Sequence, residues 1–149
     1  MYRQAAFLFA IALGVLQAPP AAGASATDAT KAGWVVSQRG EPGSGERRCT
    51  VFPQDRSYPY PLFIFSAGHD PWIAVSFSEV GNTRIAVQVD AHPELSHAKA
   101  ILDRDAATAL AQVRAGGRQL TASDSFARNT FSTDGLLPLL EECAASMDP

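Results

Sequence analysis

From residue 33 onward, apolar and polar positions alternate in short runs separated by glycine- and proline-rich breaks. Helical periodicity enters only in the last third. "GWVVSQ", residues 33–38, puts Trp34 and Val36 on one face of a strand. The preceding residues 27–32 are small and polar and read as a lead-in. "RGEPGSGE", residues 39–46, holds three glycines and a proline and predicts a turn or flexible loop. "RRCTVF", residues 47–52, alternates again, with Cys49 and Val51 on one face and Arg48, Thr50 and Phe52 on the other. The three prolines of "PQDRSYPYP", residues 53–61, predict an extended loop. "LFIFS", residues 62–66, is apolar on both faces and reads as a buried strand, and "AGHDP" after it as a turn. "WIAVSF" (72–77) and "RIAVQVD" (84–90) flank "SEVGNT" and predict a hairpin bending at Gly81-Asn82. In its second arm Ile85, Val87 and Val89 point one way and Ala86, Gln88 and Asp90 the other, which implies one buried face and one wetter face.

Beyond residue 90 the period changes. "AHPELSH" (91–97) breaks the strand pattern, and "AKAILD" (98–103) reads as a further strand. A helix is predicted over about 104–115, with Ala106, Leu110 and Val113 on one stripe. Asp103 or Asp105 is its expected N-cap and Gly116-Gly117 its stop. "RQLTAS" (118–123) and "ARNTFST" (127–133) predict two more strands. A last helix follows, capped by Thr133 or Asp134, with Pro138 in or just past its first turn and Leu136, Leu139, Leu140 and Cys143 on one face. The expected fold class is α+β and mostly β: an antiparallel, sandwich-like core with two short helices.

The N-terminus changes the chemistry expected of the cysteines. Residues 1–26 carry one charge, Arg3, then an apolar run from Ala5 to Leu16, then prolines and small residues. That is the order of a secretory signal peptide. The run is about twelve residues, short of the roughly 20 that span a bilayer. Two cleavage sites fit the small-x-small rule, after Ala24 and after Ala26. The expectation is a leader over 1–26 and one exported β-rich domain over 27–149, periplasmic or secreted from a bacterium and not membrane-spanning. Cys143 could be a nucleophile, a metal ligand or half of a disulfide. In an exported chain with two cysteines, a Cys49–Cys143 bond is the simplest reading. It would join positions 94 apart, which the chain-entropy estimate values at about 4–5 kcal/mol.

The full chain has 12 Lys+Arg and 15 Asp+Glu; without Arg3 the balance is 11 against 15, or −4. That charge argues against an electrostatic nucleic-acid binder and against a polybasic membrane-surface protein. "DAHPELSH" offers Asp90, His92, Glu94 and His97 as metal ligands, but the histidines stand five apart around Pro93, not at the helical i and i+4. Ser66, His69 and Asp70 cluster in sequence, which does not make a triad. "SHAK" (96–99) matches Ser-x-x-Lys without its companion motifs. No catalytic residue, metal or cofactor is therefore expected.

"GWVVSQ", "CTVF", "RIAVQVD", "RAGGRQL" and "NTFSTDGLLPLLEEC" together cover most of the chain beyond the leader. In that layout the sequence resembles the invasion-associated locus B family of small exported bacterial proteins. It departs from the pattern at Ser37, where a cysteine often follows the opening Trp-x-Val. The resemblance implies an exported β-rich domain that binds something at the cell envelope, without established enzymatic chemistry and with no catalytic residues to carry over.

The expected function is thus a periplasmic binding domain whose partner is a protein or another envelope component. Its expected contact residues are Arg56, Tyr58 and Tyr60, since tyrosine and arginine dominate binding hot spots and Pro59 and Pro61 stiffen their loop. The alternative for the tyrosines is a lid folded over the sheet. Alternatives for the whole chain are a secreted enzyme inhibitor, marked by a protruding loop, or a small hydrolase, marked by convergence of His69, His92 and His97 in a pocket. The exported protein is expected to begin at Ser25 or Thr27, which intact-mass measurement of the periplasmic fraction decides; a mass retaining Met1 to Ala24 refutes the leader.

Overall fold

The computed structural model describes residues 27–31, 33–41, 45–76 and 84–148. The leader predicted over 1–26 and the bend at Gly81-Asn82 lie outside the described residues. Among the described residues, nine strands form two antiparallel sheets, accompanied by two helices. The first sheet is a meander: β1 (Thr27–Lys31), β2 (Trp34–Arg39), β3 (Arg48–Pro53), β4 (Tyr60–Ser66) and β5 (Trp72–Ser76) pair in that order. The second sheet has the order β7-β6-β8-β9, from β6 (Ile85–Val89), β7 (Leu95–His97), β8 (Gln119–Ser123) and β9 (Arg128–Ser132). Helix α1 (Asp103–Arg114) precedes β8, and α2 (Leu136–Met147) ends the chain.

One apolar cluster takes residues from both sheets and both helices. The first sheet contributes Trp34, Val36, Val51, Phe63 and Ile73; the second contributes Ile85, Val87, Val89 and Leu120. Helix α1 packs against β5 and β6, while α2 lies against β2, β3 and β4. Leu136, Leu139, Leu140 and Cys143 are all buried, so the predicted stripe of α2 is its core face. Trp34 ties the sheets together. Its indole Nε1 donates to the Ser132 carbonyl of β9 at 2.8 Å, and its ring packs edge-on to Phe63 and tilted to Phe131. The bridge between Ile73 of β5 and Ile101, with backbone bonds of 2.8 and 2.9 Å, holds the segment between β7 and α1 to the edge of the first sheet.

Cys49 of β3 and Cys143 of α2 are disulfide-bonded, with Cα atoms 5.4 Å apart. Both are fully buried. Beside this bond, the Arg47 guanidinium donates to the Ser146 carbonyl at 2.9 Å and reaches the Asp148 carbonyl at 3.4 Å. It thereby satisfies carbonyls at the helix C-terminus, where a cation is also favoured by the helix dipole.

Several expectations are corrected. The stretches 72–76 and 85–89 do not form a hairpin: β5 is an edge strand of the first sheet and β6 lies inside the second. The reason is burial. Ile85, Ala86, Val87 and Val89 are all buried, and a strand wrapped on both faces takes an interior position, here between β7 and β8. The polar lead-in is strand β1, recruited as the edge partner of β2. The predicted strand over 98–103 shrinks to the Ile101 bridge, and the strand falls instead at Leu95–His97. Tyr60 and Pro61, read as loop, already belong to β4.

Neither helix takes its expected cap. Leu102 is the N-cap of α1 without a side-chain bond, and Asp105 pairs with His97 instead. At α2 the N-cap is Gly135 at φ 75, a left-handed conformation that glycine adopts at no steric cost. The Thr133 hydroxyl donates to the Gly117 carbonyl rather than into the helix. The predicted stop of α1 holds: Gly116 turns at φ 98, and a Cβ at Gly117 would collide with the Val89 side chain.

Replacing Cys49 and Cys143 together by alanine is expected to cost roughly 2–5 kcal/mol, the usual range for a native disulfide in a small domain. Urea unfolding with and without reductant measures it; an unchanged midpoint would show that the bond does not support the fold.

Candidate functional site

The loop between β3 and β4 is built by four fastenings. Asp55 makes the first: its carboxylate accepts from the Ser57 hydroxyl at 2.7 Å and from the Ser57 amide at 3.0 Å, closing a local turn. Arg56 makes the second, its guanidinium lying 4.6 Å from the centre of the Phe52 ring, a cation–π contact. The third comes from the other sheet. Asn129 of β9 donates its side-chain amide to the carbonyls of Ser57 and Tyr58 at 3.0 and 2.9 Å. Finally, Tyr58 and Tyr60 stack, with ring centres 5.6 Å apart and planes 24° from parallel. Pro59 and Pro61 between and beside them are buried.

The two tyrosines thus divide the roles expected of them. Tyr60 starts β4 and is half-buried on the outward face of the first sheet. Tyr58 lies over it and keeps 51% of its surface exposed. The structure brings Arg56, Tyr58 and Tyr60 into one neighbourhood, with Phe52 as the ring beneath Arg56. Sequence reading missed Asn129, which is 71 residues from Tyr58 and has no local signal.

Beside this loop, the outward face of β2, β3 and β4 holds a recess of about 480 Å³ walled by Arg39, Arg48, Arg56, Thr50 and Tyr60, among others. A larger cleft, of about 1290 Å³, opens between the β4–β5 turn and the two helices. Ser66, His69 and Asp70 all line it, with Phe65, Trp72, Leu102 and Leu110 among its apolar residues. Their side chains make no hydrogen bonds with one another, and the His69 amide donates to the Ser66 carbonyl as an ordinary turn. His92 and His97 do not line the cleft, so the three histidines do not converge.

Asp90, His92, Glu94 and His97, the potential ligands of "DAHPELSH", go to separate structural tasks. The Asp90 carboxylate accepts from the Arg118 and Gln119 amides at 2.9–3.1 Å, which holds Asp90 at φ 48. Glu94 pairs with Arg128 at 3.0 Å and His97 with Asp105 at 2.7 Å. The His92 amide caps the turn onto the Val89 carbonyl. Among the described residues, no three His, Cys, Asp or Glu side chains converge.

Another exposed feature is the β8–β9 turn. Asp124 Oδ1 accepts from the amides of Phe126 and Ala127, both at 2.7 Å. The tip residue Phe126 is 77% exposed. Among the described residues, no helix is long and apolar enough to cross a membrane. Comparison with protein-family models, with curated proteins and with solved structures yields no match.

The Ser57 hydroxyl and then its amide hold the Asp55 pKa below the ordinary aspartate value of 3.8. A folded value below the unfolded one means that the turn's contribution is complete above the unfolded value. It is lost as pH falls through the depressed folded value. The near-ultraviolet circular dichroism of the tyrosine pair is therefore expected to stay constant from about pH 7 to about pH 5 and to decay only below the ordinary carboxylate range. A decay that starts near pH 6 would show that Asp55 does not control the loop.

Proposed function

We propose that this chain is a non-catalytic binding module of an extracytoplasmic compartment, and that Tyr58 and its fastened loop form its contact surface. The observation that carries the reading is an aromatic side chain left half in solvent on a loop tied down from two sheets. Ordering a flexible loop on association costs free energy, and this loop is already ordered. Tyrosine supplies large contact area with few rotatable bonds, and stacking on Tyr60 fixes its ring. The buried disulfide supports an oxidising location, since such bonds are rare in reducing cytosol. The resemblance to the invasion-associated locus B family points the same way, toward an exported domain that recognises an envelope component.

A second reading, an inhibitor of an enzyme, is favoured by Phe126. It projects from a hairpin tip whose backbone is fixed by Asp124. Such a rigid protruding side chain suits insertion into a partner's pocket.

One assay separates the two. The domain is used to capture partners from envelope extract, with Tyr58→Ala and Phe126→Ser variants alongside. Under the first reading, Tyr58→Ala loses capture by at least about tenfold while melting within a degree or two of the parent, because the ring is already half exposed. Under the second, Phe126→Ser loses capture and Tyr58→Ala keeps it. If both variants capture as well as the parent, neither surface is the contact.

A further inference from the structure

Arg39 and Arg48 stand directly opposite each other as cross-strand partners of β2 and β3. Directly opposed residues of an antiparallel pair project from the same face, with Cβ atoms about 4.5–5.5 Å apart, and like charges there repel. Arg56 brings a third guanidinium into the same recess from the loop, set in place by the Phe52 ring. No carboxylate among the described residues lines this recess. None of the ion pairs among the described residues involves these three arginines. The gathering occurs in a chain with 15 acidic residues against 12 basic ones, so it does not follow from overall charge.

We propose that the recess binds a small polyanion through two or more oxyanion groups, carboxylate or phosphate. The proposal rests on the binding-module reading and names a ligand for the face that Tyr60 and Arg56 share with it. The guanidinium fork pairs bidentately with either group. The cross-strand pair Ser37 and Thr50 lies two residues along the ladder from the arginine pair and adds hydroxyl donors on the same face. Tyr60 and Leu62 close the recess with apolar surface suited to a ligand's carbon skeleton. The volume of about 480 Å³ falls in the small-molecule range. An extended polyanion would need a basic surface beyond the recess, and the net charge of −3 argues against one. A compact ligand with concentrated charge satisfies the three guanidiniums and cancels the repulsion between Arg39 and Arg48.

The test is calorimetric titration of the purified disulfide-bonded protein, at near-physiological salt, with inorganic pyrophosphate in one arm and citrate in the other. Saturable binding of either at one site is expected, the stronger arm identifying phosphate or carboxylate as the preferred group. Arg39→Gln and Arg48→Gln are each expected to weaken that binding at least about tenfold. Both variants are expected to melt at or above the parent's temperature, because each removes half of a repelling pair. Tyr58→Ala is expected to leave the titration unchanged. Absence of binding in both arms overturns the proposal, as does binding that both arginine variants retain. Anion binding without any Tyr58-dependent partner would leave the recess standing and overturn the contact surface instead; the reverse result would overturn the recess alone.

Discussion

The Cys49–Cys143 bond is the constraint on which the remaining structure depends. Cys49 sits in β3, the middle strand of the first sheet, and Cys143 on the core face of the last helix. The two cysteines are 94 positions apart, and the segment between them includes β4, β5, α1 and the whole second sheet. Closing a loop of that length removes much of the unfolded chain's freedom. It also fixes where α2 lies, and Leu136, Leu139 and Leu140 then complete a core that neither sheet fills alone. Arg47 beside the bond satisfies the helix's last carbonyls, so covalent and polar restraints act on the same end.

The polar chemistry that the sequence displays most openly is used to hold backbone. Asp90 serves two amides, Asp124 serves two amides, Asp55 serves Ser57, and His97 and Glu94 each take a side-chain partner. These groups are short-range fasteners of turns and sheet edges. They secure a domain whose two sheets share one core and are tied by the Trp34 indole, with the Ile73–Ile101 bridge holding the segment before α1 to the first sheet. The outward face of the first sheet carries two groups used in neither way: Arg39 and Arg48 set against one another, and the stacked Tyr58–Tyr60 pair. The concentration of those groups on one wall, away from the core, is what the proposed recognition surface rests on.

The first sheet's two faces follow from strict alternation. Trp34, Val36, Cys49 and Val51 turn inward, and Arg39, Arg48, Thr50 and Phe52 consequently turn outward. The register that buries the cysteine is therefore the register that opposes the two arginines, since a slip of one residue would exchange the faces. Core and recess are two sides of one pairing.

The sequence by itself determined the strand faces of β2 and β3, the apolar stripes of both helices, the stop of α1 at Gly116 and the disulfide pairing. Each of these rests on local periodicity, on backbone freedom at one residue or on there being two cysteines in total. It also placed Arg56, Tyr58 and Tyr60 in one neighbourhood, because they are close in the chain, although Tyr60 belongs to β4 and not to the loop. Only the tertiary structure decided which strands pair, since β5 and β6 carry a good turn signal between them yet join different sheets once β6 is buried on both faces. It alone decided that Asp105 would meet His97 rather than cap α1, and that Asn129 would fasten the tyrosine loop from the second sheet. The same holds for Arg39 facing Arg48. These contacts depend on register and on packing between residues distant in sequence, and periodicity along the chain reports how each segment is buried but not against what.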